Sequence, residues 1–270
     1  MGDILARMPE IDDLDAAERA KTDHALEVAL SMGRPRNWWG TGANQALLRA
    51  ARDEGLPLSW IPQAATIKEL AAAEDAAARL AVLIAHRDEV ISDCEELLEE
   101  CHADELADQV TLARKAIAAV KGGHPESGMA LAVALGDPLA VWASQPRVTG
   151  FDSKAERAEW EKLRKTKGKS RHAQIEIDRL GPGAVAHWDF CYQVLIAPVP
   201  RFFTRYDPEK GDPLPEGLSR HAVAHQPTLA HFSETNTLLA LMLVTSILRQ
   251  MQDWIEEMGP DGSQSELDDE

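Results

Sequence analysis

The stretch whose residue types and spacing best suit chemistry is Arg220-His221-Ala222-Val223-Ala224-His225. An imidazole changes charge near neutral pH, so His225 suits proton transfer. A guanidinium stays charged and presents a planar fork of donors, so Arg220 suits an anionic oxygen such as that of a phosphate ester. On a helix, a separation of five places these two side chains about 140° apart around the axis, so one copy of the pair does not converge on one point. His221 lies four before His225 and shares its face. It is either a second acid–base group or a support for the first.

The neighbouring elements say where this cluster must lie. It follows a Gly/Pro-rich loop and precedes a break at Pro227. After the break comes the most apolar helix candidate of the chain, residues 238–255, with Leu238, Leu239, Leu241, Met242, Leu243, Val244, Ile247, Leu248, Met251, Trp254 and Ile255. A helix apolar on so many sides is expected at the centre of a core. The cluster therefore adjoins a buried element, where charge is costly unless paired or used. The same Arg-x4–6-His spacing recurs at Arg19…His24 and Arg79…His86, both within amphipathic helix candidates and read as coincidence.

Arg220-x4-His225, with a polar residue directly after the arginine, resembles the motif of HEPN (higher eukaryotes and prokaryotes nucleotide-binding) domains. The resemblance covers residues 215–257. It implies an all-helical module with the motif at the start of a late helix. Many such modules are metal-independent endoribonucleases of toxin–antitoxin and phage-defence systems. They typically work as homodimers in which two motifs share one cleft. By that resemblance Arg220, His221 and His225 are catalytic, no cofactor is needed, RNA is the substrate, and an antitoxin or regulatory protein is a partner. His225 would take the proton of the ribose 2′-hydroxyl and Arg220 would meet the charge building on the phosphorus oxygens.

The competing reading is a non-catalytic all-α interaction or regulatory protein. In it Arg220 bonds carbonyls of the 207–217 loop and His225 packs on the final helix. A metal reading of His221, His225 and His231 also exists, since i, i+4 histidines make a workable zinc pair. No H-E-x-x-H accompanies them, so no metal site is expected. His187 is read as a partly buried core histidine. Glycine-rich phosphate loops, a serine nucleophile elbow and a catalytic-cysteine signature are absent from the sequence. Glu95-Glu96 and Glu99-Glu100 read as a solvated helix face.

Residues 154–171 hold eight basic residues, Lys154, Arg157, Lys162, Arg164, Lys165, Lys167, Lys169 and Arg171, against three acids. They read as a solvated face or as a phosphate landing strip with Trp160 free to stack on a base. For RNA binding the expected residues are Lys162, Arg164, Lys165, Lys167, Lys169 and Arg171. The chain as a whole carries a net charge of −17, which excludes a protein that coats nucleic acid over its whole surface.

With 270 residues, 44% of them hydrophobic, the chain can bury a large core. Its apolar content is rich in Ala and Leu and poor in Tyr and Phe, which favours helices over sheets. The expected fold is all-α: an antiparallel helical bundle with irregular insertions and a HEPN-like C-terminal module. Helices are expected over 13–32, 44–52, 67–101 with Thr66 as cap, 106–121 capped by Asp104, 125–143, 152–167, 184–206 broken by Pro198 and Pro200, and 238–255. Residues 1–62 form a loosely packed N-terminal helical region in which Trp38-Trp39 is an anchor. Residues 66–258 form the helical domain, and 259–270 a disordered acidic tail. Cys94, Cys101 and Cys191 include no C-x-x-C pair and fit small core residues in a reducing cytoplasm. The acidic N-terminus lacks the apolar core of a signal peptide, and no uncharged run is long enough to span a membrane.

Overall fold

The computed structural model describes residues 34–143 and 189–258. The expected helices 13–32 and 152–167, the basic run with its six RNA-binding candidates, Trp160, His187 and the acidic tail lie outside the described residues. Among the described residues every regular element is helical. In chain order the α-helices are α1 Asn44–Arg49, α2 Ala64–Ala72, α3 Ala76–Ala85, α4 Arg87–Glu99, α5 Ala107–Lys121, α6 Pro125–Ala143, α7 Asp189–Ile196, α8 Val199–Phe202, α9 Arg220–His225 and α10 Glu234–Met258.

Residues 236–248 of α10 form one unbroken buried run. The helix packs against α4, α5 and α6, so each of its faces has an apolar neighbour. Each large aliphatic side chain so buried contributes about 1.5–3 kcal/mol. No helix among the described residues is long and apolar enough to cross a membrane. The pairing of α5 with α6 depends on a glycine. A Cβ on Gly128 would stand 2.4 Å from Val120 Cγ2 and 2.6 Å from the Ala116 carbonyl oxygen, so only a bare backbone fits there. Gly136, further along α6, faces Phe202 of α8 and Val244 of α10.

The single helix expected over 67–101 is instead three. Ala73 leaves helical geometry, and the Asp75 carboxylate then captures the Ala78 N–H at 2.8 Å and starts α3. His86 interrupts again before α4. The three/four apolar spacing survives both breaks because Leu83, Val90, Ile91, Cys94 and Leu98 all still reach the core. Thr66 is no cap. It is buried inside α2, whose cap position is Gln63, and the Gln63 N–H donates to Asp93 at 2.9 Å. Asp104 begins a 3₁₀ turn, Asp104–Leu106, that leads into α5.

Residues 34–62 place Trp38, Leu47, Leu56, Leu58 and Ile61 in the same core cluster as α10. Trp38 is fully buried, donates to the Leu58 carbonyl at 2.9 Å and meets Phe190 edge-on. Its neighbour Trp39 is 61% exposed, so the anchor is one tryptophan and not the pair. Trp60 stacks on the Arg249 guanidinium at 4.6 Å. Burial pushes the thiol of Cys94 up to about 12, that of Cys101 to about 11 and that of Cys191 to about 12, which disfavours the reactive thiolate.

Candidate functional site at the α9 corner

The hexapeptide picked out by its chemistry is all of α9. The helix is short because both ends are fixed from outside. At its start Ser219 Oγ accepts the Ala222 N–H at 3.3 Å and donates to the Thr204 carbonyl at 2.9 Å. At its end Gln226 and Pro227 stop it. The chain then turns back, and His231 brings its Nε2 to the backbone of Ser219, 3.3 Å from the N–H and 3.2 Å from the carbonyl oxygen. His231 is fully buried, and that burial holds its pKa below the usual histidine value. Asn236 at the start of α10 donates to the His231 carbonyl at 2.9 Å. Ser219 and His231 thus lock α9 between the 204–206 segment and the foot of α10.

Within α9 the imidazoles of His221 and His225 lie 4.6 Å apart between ring centroids, as their spacing of four requires. His225 is exposed and His221 half-buried. Burial, then the neighbouring His225, then Arg220 push the His221 pKa down, and Arg205 adds to the effect. Among the described residues the charged groups acting on His221 are cations, which favours its neutral form, while a hydrogen bond with the Tyr206 backbone opposes the shift. The His221 Nδ1 is buried without a hydrogen-bond partner. A neutral imidazole beside an exposed second one, in a cationic neighbourhood, can exchange a proton with a bound anion's hydroxyl.

Arg220 points elsewhere. Its Nε and Nη2 both reach Asp137 Oδ2 of α6, at 3.0 and 2.9 Å. The expectation of the competing reading, an arginine bonded to carbonyls of the 207–217 loop, is corrected: the partner is a carboxylate 83 residues away in sequence. His225 does not pack on the final helix either, being exposed. Asp137 was missed at the sequence level, though a signal was there. It is the only ionisable side chain between Glu126 and the end of α6. A lone carboxylate in so apolar a helix needs a cation from another element.

The histidine triplet read for metal does not converge, because His231 is turned to Ser219. Among the described residues no group of three His, Cys, Asp or Glu side chains is placed to hold a metal ion. Arg205, one of the cations acting on His221, shares Asp207 with Lys210, at 3.5 and 2.8 Å. Beside the corner lies a groove of about 630 Å³ whose walls include Arg201, Arg205, Leu218 and Asn236. The chain matches no protein-family model, no curated protein and no solved structure.

Proposed function

We propose that the α9 corner is the cleavage centre of a metal-independent endoribonuclease of HEPN type. In this reading residues 215–257 are the HEPN-like module of an antiparallel helical bundle. Two copies of the chain share one cleft, because Arg220 and His225 diverge on a single α9. His225, open to substrate, takes the proton of a ribose 2′-hydroxyl. The freed oxygen attacks the adjacent phosphorus, and Arg220 meets the charge on the phosphorus oxygens. The 5′-oxygen leaves and takes a proton from water, so the products are a 2′,3′-cyclic phosphate and a 5′-hydroxyl. His221 holds the ring of its neighbour in place. Lys162, Arg164, Lys165, Lys167, Lys169 and Arg171 steer RNA to the cleft. The setting is that of a cytoplasmic toxin or phage-defence nuclease restrained by an antitoxin-type partner.

One observation carries the reading: the imidazole pair at 4.6 Å, one ring exposed and the other half-buried. Its test is RNA cleavage in chelator by the intact protein, His225→Ala and Arg220→Ala, matched for folding and oligomeric state. Cyclic-phosphate ends from the intact protein alone support it. No cleavage by the intact protein rejects it.

The Arg220–Asp137 ion pair favours a second reading, a non-catalytic interaction protein whose polar cluster ties α9 to α6. In that case both substitutions lower thermal stability and no RNA is cut.

A further inference from the structure

We propose that Asp137 is the positioning residue of Arg220, fixing the guanidinium so that its remaining donor edge faces the scissile phosphate. This rests on the reading of α9 as a cleavage centre. Asp137 sits on a core helix between Gly136, pressed against Phe202 and Val244, and Pro138, so its backbone has little freedom. Its side chain is only 19% exposed, and that of Arg220 26%. The carboxylate takes one edge of the fork, Nε and Nη2, through a single oxygen. The other edge carries Nη1, and no described residue accepts a hydrogen bond from it. A planar fork held along one edge has its second edge aimed, which a flexible surface arginine lacks.

An aimed donor matters most where charge develops in the transition state, since orientation is then settled before reaction. The same carboxylate weakens ground-state attraction, because it neutralises much of the cation. Loss of Asp137 therefore lowers kcat while leaving KM for RNA unchanged or lower. A mere loss of folded protein would not lower KM.

The experiment measures kcat and KM for a fluorogenic ribo-oligonucleotide in chelator, per folded molecule, for the intact protein and for Asp137→Asn and Asp137→Ala. The expected result is a fall in kcat of about 10–100-fold for Asp137→Ala and a smaller fall for Asp137→Asn, whose amide oxygen still accepts a hydrogen bond. Neither variant raises KM. Should Asp137→Ala not fold, the isosteric Asp137→Asn reports alone. A second arm adds guanidinium ion to Arg220→Ala. Activity returns in part where Asp137 is present to seat the ion, and at least about tenfold less in Arg220→Ala/Asp137→Asn. Unchanged kcat in the Asp137 variants, or equal rescue with and without the carboxylate, overturns the assignment and leaves the nuclease reading standing. Failure of the intact protein to cut RNA instead removes the nuclease reading, and the role of Asp137 with it.

Discussion

Arg79…His86 and Arg220…His225 satisfy one spacing rule, and the fold uses them in opposite ways. Arg79 on α3 is fully engaged. It pairs with Glu54 through Nε and Nη2 and donates through Nη1 to the Ala73 carbonyl at 3.0 Å. The hydrogen bond to Glu54 raises its pKa, the mark of a structural pair. His86, at the α3–α4 junction, has a carboxylate on each ring nitrogen, Glu69 at 3.0 Å and Glu89 at 3.2 Å. At the α9 corner the charged groups acting on His221 are cations, and His225 is open to solvent. The difference lies in partners. Both arginines give Nε and Nη2 to a carboxylate, but Arg79 also spends Nη1 on a carbonyl and His86 both ring nitrogens on carboxylates, whereas Arg220 beside Asp137 keeps Nη1 and His225 stays open to solvent.

The largest expected effect breaks or confirms this contrast directly. His225→Ala and Arg220→Ala should each lower RNA cleavage by about 10²–10⁴-fold. Arg79→Ala and His86→Ala should leave the rate per folded molecule unchanged. Equal losses at both places would show that the corner has no special role.

Next come the adjacent tryptophans, where two identical residues again meet opposite surroundings. Trp38→Ala should cost about 3–5 kcal/mol in urea unfolding, as expected for a fully buried aromatic. Trp39→Ala should stay within about 0.5 kcal/mol, the usual range at an exposed site. Arg79→Ala should cost about 2 kcal/mol, because it strands the half-buried Glu54 carboxylate. A cost near zero would place the Arg79 pair among weak surface pairs and blur its difference from Arg220.

The smallest effects are in pH. Hydrogen bonding to Glu69 raises the His86 pKa, so its contribution is full below about 6.5 and is lost as pH rises through the higher folded value. Burial lowers the His231 pKa. Below about 6.5 the unfolded chain takes a proton there that the folded chain refuses, and stability falls as pH drops toward the folded value. Thermal melts of His86→Gln and the intact protein from pH 5 to 9 should differ most at the acid end and converge at the alkaline end. A difference that grows with pH would reverse the assignment for His86.

Much of the helical content was legible because it is local. The α6 bounds, the stop of α5 at Gly122 and the buried character of α10 follow from periodicity and breakers alone. The His221–His225 contact follows from helix geometry once α9 is helical. The break between α2 and α3 was harder to read, because a polyalanine stretch is silent about where a helix ends and the Asp75 cap decides it.

Sequence alone thus determined an all-helical chain with a polar hexapeptide beside its most apolar helix, since composition and spacing act through neighbouring residues. Tertiary structure alone decided that Arg220 meets Asp137, that His231 clamps Ser219 and that Trp38 is buried while Trp39 is not. Those contacts join residues far apart in the chain. Burial and electrostatics act on whatever packing brings together, and no local pattern encodes that choice.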